Sequence, residues 1–279
     1  MKRRSLPLLI AVSILSLFLL LVLTVILVPV DEVKGVVTRA LAREGYLLQA
    51  EEFRKSFPLG IGVTNAEVRD DRGLLLKLDS ATFRLKLLPL CIGKIVLDAH
   101  ARIRDGEVSV SYQPRTSQIS LHSEGIRLQD LPLLQVATGA NLQGELFLDG
   151  SFSGRGTALH GDLRMEIKRA EFSGIKVSDM PLPDASYETI RGMFRAAGGT
   201  GNLESLTFQG DGIYIRLKGT LAMAKSVGAA PLNLTIELMP KPDFLEKQKL
   251  VFLLLAKYQK SPGSYQIPVT GTLLSPVIR

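Results

Sequence analysis

The chain has no tryptophan, one cysteine, three histidines and only 6% aromatic residues over its 279 positions. With Cys91 as the single cysteine, no disulfide can form within the chain. A large exported domain without one is held by its core alone, which fits a bacterial periplasm better than a secreted eukaryotic setting. Cys91 stands in the apolar stretch Leu87-Leu88-Pro89-Leu90-Cys91-Ile92, the setting of a buried free thiol. The lack of tryptophan argues against a stacking platform for sugars.

The catalytic inventory is equally thin. His100, His122 and His160 stand in strand contexts without metal-ligand spacing, and no H-E-x-x-H occurs. Neither a G-x-S-x-G elbow nor a P-loop is present. Gly150, Gly154 and Gly156 have the look of a phosphate loop, but no strand–turn–helix follows them, so they read as turns in a β segment. Glu51-Glu52 and Asp70-Asp71 are paired only by adjacency, which does not make a catalytic dyad. No catalytic, cofactor-binding or metal-ligating residue is assigned. The chain reads as a scaffold or binder rather than an enzyme, with a membrane-tethered hydrolase as the least favoured reading.

Basic charge is in modest excess, at a formal net +7, of which Lys2, Arg3 and Arg4 supply three. The remaining +4 is dispersed. No lysine and arginine run interleaves with aromatics, so nucleic acid is not expected as a partner. A mildly basic face is compatible with anionic lipid headgroups.

What the sequence does have is an apolar run from Leu6 to Val30, broken only by Ser13, Ser16 and Thr24. About 20 apolar residues in a helix cross a ~30 Å hydrocarbon core. Val28-Pro29-Val30-Asp31 offers no Ala-x-Ala cleavage pattern, so the run reads as an uncleaved anchor. The basic triplet before it places the N-terminus in the cytoplasm and the rest of the chain on the far side. Residues 1–30 are thus a cytoplasmic tail and transmembrane anchor, and residues 31–279 a periplasmic β-rich domain.

A short helix follows the anchor. Asp31 is its expected N-cap, Val33, Val36, Val37, Ala40 and Leu41 form one stripe, and Gly45 ends it. The period then switches to two. Leu74–Leu78, Phe83–Leu87, Val108–Tyr112, Leu163–Ile167, Ile213–Leu217 and Leu232–Leu238 all alternate apolar with polar residues. Six such runs argue for antiparallel strands with one buried face. Turn signals fall at Asp71-Arg72-Gly73, Asp105-Gly106, Asp149-Gly150, Gly198-Gly199-Thr200-Gly201 and Asp211-Gly212. Gly-x-Leu recurs at Gly144, Gly161, Gly219 and Gly271, where glycine suggests a bulge or bend. The sequon at Asn233 lies inside a strand pattern and is read as chance. Two more helices are expected. One is capped by Asp130 and runs to Val136, with Gly139 beyond. The other opens on the capping box Asp243/Glu246 and runs to about Lys260. Its Val251–Ala256 segment is apolar on all sides and suits burial against the sheet, or contact with a membrane surface or partner helix.

The order of segments resembles a known family. A helix ending Glu44-Gly45-Tyr46 is followed by Phe57-Pro58-Leu59-Gly60-Ile61-Gly62-Val63-Thr64-Asn65-Ala66 and by Leu87-Leu88-Pro89-Leu90. Gly106-Glu107-Val108-Ser109-Val110-Ser111-Tyr112, Gly125-Ile126-Arg127-Leu128-Gln129-Asp130-Leu131 and Asn141-Leu142-Gln143-Gly144-Glu145-Leu146 come next. The chain closes with Pro268-Val269-Thr270-Gly271-Thr272-Leu273-Leu274-Ser275-Pro276-Val277-Ile278. This resembles the type II (general) secretion pathway protein N family, itself similar to the larger AsmA-like proteins. The resemblance implies a single-pass bacterial inner-membrane protein, an accessory structural part of type II secretion whose periplasmic domain contacts other subunits. The AsmA-like relatives imply an alternative, lipid binding or transfer on an apolar β-groove. The expected fold is therefore mainly β, with one N-terminal transmembrane helix, a curled and twisted antiparallel sheet and a few packing helices. No cofactor is expected. Mass measurement of the membrane-bound protein should find the N-terminus intact; a mature chain starting near Asp31 would overturn the anchor.

Overall fold

Side chains on a strand alternate between two sides, so an apolar residue at every second position makes one water-avoiding face. A computed structural model of the chain describes residues 30–43, 45–56, 59–71, 73–174, 176–177, 180–181, 185–222, 230–272 and 276–278. The first elements are helix α1 (Val30–Arg43), strands β1 (Leu47–Ser56), β2 (Gly60–Asp70) and β3 (Gly73–Leu85), and helix α2 (Leu87–Cys91). Strands β4 (Leu97–Ile103), β5 (Gly106–Gln113) and β6 (Gln118–Arg127) lead to helix α3 (Pro132–Thr138). Next come β7 (Asn141–Ser153), β8 (His160–Ser173), β9 (Lys176–Val177), β10 (Met180–Pro181), β11 (Ala185–Ala197), β12 (Thr200–Gln209), β13 (Ile213–Ala222) and β14 (Pro231–Pro240). Helices α4 (Pro242–Lys247) and α5 (Lys249–Leu254) precede β15 (Gln259–Ser261), β16 (Ser264–Thr272) and β17 (Pro276–Ile278).

Among the described residues fifteen strands form one open antiparallel sheet, and β9 with β10 makes a separate two-stranded ribbon. Each strand from β1 to β8 pairs with the next, β8 passes to β11, and the meander continues through β14 to β16. The outer side of β16 is shared by β15 and β17. The chain is thus mainly β, as its alternation indicates. The expected transmembrane helix falls outside the described residues, and among these no helix is long and apolar enough to cross a membrane.

All six alternating runs lie in strands, although the first two belong to one strand, β3. Leu87 is a correction: it leaves the strand and opens α2, because the run reaches Pro89, which has no N–H for a ladder. Asp149-Gly150 is a second. Rather than turning, it lies inside β7, with Gly150 opposite Leu121 and Leu163. A Cβ on Gly150 would come within 2.7 Å of Leu163 Cδ1, so glycine here makes room for a leucine. The helices also differ at their starts. Asp31 lies in the first turn of α1 and does not precede it, whereas Gly45 ends α1 in the left-handed region (φ 85°) as expected. Asp130 belongs to a 3-10 turn ahead of α3, whose cap is Leu131, while Gly139 terminates α3 with φ 65°. The single helix expected from Asp243 breaks at Gln248, and its last part becomes β15. The break lets Phe244 lie over Gly212 while Phe252 reaches Tyr265.

Strict alternation would not bury every apolar residue. Extra residues in β6 between Ser123 and Ile126, in β8 at Arg169 (φ 51°) and in β12 between Leu203 and Leu206 reset the phase. Residues three apart then both reach one face, as Ile167 and Ala170 do. Gly144 stands opposite the extra residue of β8, which bears out a bulge at that glycine. At Gly219 the backbone itself forbids a side chain. Its φ is 145°, and a Cβ would lie 2.8 Å from Leu234 Cα on the adjacent strand. Gly219→Ala should therefore cost about 2–3 kcal/mol, seen as a lower thermal midpoint. The neighbouring, exposed Thr220→Ala should leave the midpoint nearly unchanged.

Candidate functional site

The register assembles one long apolar surface. Phe83, Ala99, Val110, Leu121, Gly150, Leu163, Phe194, Leu203, Gly219, Leu234, Val269 and Ile278 stand opposite one another in successive strands. A second such row runs Val63, Ala81, Ala101, Val108, Ser123, Leu148, Met165, Gly192, Leu206, Leu217, Ile236 and Ile267. Each row crosses twelve strands, so the surface is about 50 Å long at ~4.8 Å per strand. Ser123 is the polar exception; its hydroxyl accepts from the Leu148 N–H at 3.0 Å, so the buried oxygen is satisfied.

One end of this face is sealed. There Ile126, Leu146, Ile167, Ile190 and Tyr265 are buried, with Leu131 and Leu134 at one side and Phe244, Leu245 and Phe252 at the other. Phe172, Tyr187 and Phe208 pack together in the same region, Phe208 edge to face with the other two, and burial pushes the Tyr187 phenol up. The other end is open. Leu97 and Ile119, either side of Tyr112, are exposed, as is Phe83. Between the two ends, Leu121, Leu148, Leu163, Leu203 and Leu206 are half-buried.

The opposite face is polar. Asp98, Ser111, Ser120, Ser151 and Asp162 make one row, and His100, Ser109, His122 and Asp149 the next. They line an open depression of about 380 Å³. Its electrostatics centre on Asp98, whose Oδ2 lies 2.7 Å from Lys86 Nζ. Burial raises the Asp98 carboxyl, but hydrogen bonding and the Lys86 charge outweigh it and hold the group below its ordinary value. His122 Nδ1 lies 3.2 Å from Asp149 Oδ2. Elsewhere, Ser153 Oγ lies 2.7 Å from His160 Nε2, while His160 Nδ1 lies 3.0 Å from the Ala158 carbonyl oxygen. With Nδ1–H donating to that carbonyl, Nε2 accepts from the serine. The pair sits exposed at a hairpin, oriented by a carbonyl and away from the depression.

The structure therefore brings His100 and His122 onto one row and leaves His160 apart. Their alignment depends on the registers of two hairpins, which no local motif reveals. Among the described residues no group of three His, Cys, Asp or Glu side chains could hold a metal ion. Glu51 and Glu52 are exposed on β1, and an Asp70 oxygen accepts from the Gly73 N–H in the β2–β3 turn at 3.1 Å. The side chain of Cys91 lies outside the described ones. Against protein-family models, curated proteins and solved structures, the chain finds no match.

The lowered Asp98 group makes a pH-dependent contribution. It is fully present above the ordinary value of 3.8 and is lost as pH falls through the lower folded value. Lys86 is half exposed, so after solvent screening Lys86→Ala should cost about 1 kcal/mol at neutral pH. Thermal melts of the two proteins should converge as pH is taken below that window.

Proposed function

We propose that the apolar face holds lipid acyl chains, and that the chain is an AsmA-like lipid-binding or lipid-transfer module tethered to a bacterial inner membrane. The carrying observation is the continuous aliphatic surface, half-buried over its middle rows and covered by helices only towards one end. Exposed apolar surface on this scale is rare without a partner. Acyl chains suit it because its lining offers almost no hydrogen-bonding side chains and its length far exceeds one ~20 Å chain. In this proposal the sheet curls about the apolar face into a groove. Gly150, Gly161, Gly192, Gly201, Gly219 and Gly271 all stand on that face, where missing side chains relieve crowding on the inside of a bend. The N-terminal apolar run keeps the module at the membrane, and the polar rows face water.

A second reading, an accessory subunit of type II secretion, rests on a different observation. Among the described residues β1 has an unpaired side, and Leu250, Leu253 and Leu254 of α5 are exposed on one helical face. Sheet edges and such helices are common docking elements for other subunits. Loss of one exoprotein class on deletion, with an intact lipid barrier, would favour that reading.

The groove is tested on the full chain purified in mild detergent. Phospholipid should co-purify stoichiometrically, and a photoreactive lipid should crosslink at position 203 but not at outward-facing 207. Leu203→Glu should cut bound lipid by about tenfold or more, from the transfer free energy of one leucine. Equal lipid content in wild type and Leu203→Glu, with both folded by circular dichroism, would remove the groove.

A further inference from the structure

The open end of the apolar face does not stop at the strands. Phe83, Leu97 and Ile119 at the ends of β3, β4 and β6 are exposed, and the connection from β3 to β4 adds Leu88, Ile92 and Ile95. Leu88 is 85% exposed and Ile92 71%. They stand four residues apart, so one side of the α2 turn presents both outward, while Val96, just before β4, is buried. Leu85 pairs with Leu97, and Leu97 with Tyr112, so these residues continue the apolar rows without a polar break.

Charge around this rim is one-sided. Segments 82–98 and 110–121, which build it, carry Arg84, Lys86, Lys94 and Arg115 against the single acid Asp98. Asp98 is paired with Lys86. An apolar protrusion whose flanking segments carry more cations than acids matches the interface of an anionic bilayer: the aliphatic tips enter the acyl boundary and the cations meet headgroup phosphates.

We propose that this rim docks on a bilayer surface bearing anionic headgroups, with Leu88 and Ile92 inserted among the lipids. The open end of the acyl-chain face is then held against the lipid supply. This deepens the groove reading and rests on it for the continuity between rim and face. A second copy of the chain would cover the apolar tips but would bring like charges together, so a lipid surface fits better.

The experiment uses the full chain reconstituted in phosphatidylcholine vesicles with or without phosphatidylglycerol, all containing a spin-labelled quencher lipid. In a Cys91→Ser background, a fluorophore is placed on Leu88→Cys or, as control, on Glu124→Cys of the polar face. Quenching at position 88 should be several-fold stronger with phosphatidylglycerol and should weaken at high salt. Position 124 should stay unquenched. Adding Ile92→Glu should weaken docking by about tenfold. This site is exposed, so circular dichroism should be unchanged. An unquenched Leu88 label in both lipids, or a label shielded without lipid by concentration-dependent self-association, would overturn the proposal. Lipid co-purification separates the two ideas. Bound lipid with an unquenched rim leaves the groove and removes the docking. A quenched rim without bound lipid does the reverse.

Discussion

Hydrogen bonding between neighbouring strands is the interaction on which everything else in this molecule depends. No facing sheet supplies a second layer among the described residues, so the ladder must hold each strand in register for the apolar rows to exist. A slip of one residue would turn Leu163, Met165 and Ile167 to water and bring Arg164 and Glu166 inward. Register is therefore what makes the surface. Helices α3, α4 and α5 add burial at one end, but they pack on rows the ladder has already formed.

The outer face bears on the same problem. Cross-strand pairs such as Arg102–Glu107, Arg191–Glu166 and Lys218–Glu237 sit on it, at 2.6–3.1 Å. Exposed pairs contribute little stability each. Their more useful effect is selective, because a two-residue slip would set Arg191 opposite Arg164 or Lys168 and would move Arg102 from its place opposite Glu107. Glu237 is the exception in burial, at 9% exposed, and Lys218 satisfies it.

The strands were legible in the sequence because alternation is a local signal, strong in Val108–Tyr112 and Leu232–Leu238. The fold departs from the local pattern where another force overrides it. Asp149-Gly150 reads as a turn until Leu163 on the next strand is seen to need its space. The segment after Asp243 reads as one helix, but two phenylalanines eight residues apart must both reach the sheet, and the helix gives way between them. The reset positions in β6, β8 and β12 were hidden for a different reason. Only pairing across strands shows which residue is extra. The apolar face as a whole was foreseeable; its open rim was not, because Leu88 and Ile92 look like core until nothing is found to cover them.

The meander also has a consequence in time. From β2 to β8 every strand pairs with the one made just before it, joined by a turn or by a connection that carries one short helix, α2 or α3. Loop-closure costs stay small and contact order low for so β-rich a chain. A polypeptide appearing N-terminus first can add each new strand to the growing edge as it appears, without waiting for distant sequence. Besides the outer side of β1, among the described residues, this assembly exposes one backbone template, its growing edge. The final segment occupies it with two short pieces, β15 and β17, side by side on β16. Growth by whole hairpins would lengthen the face without rerouting any existing pair, so the length of the surface is a variable that gene duplication can set.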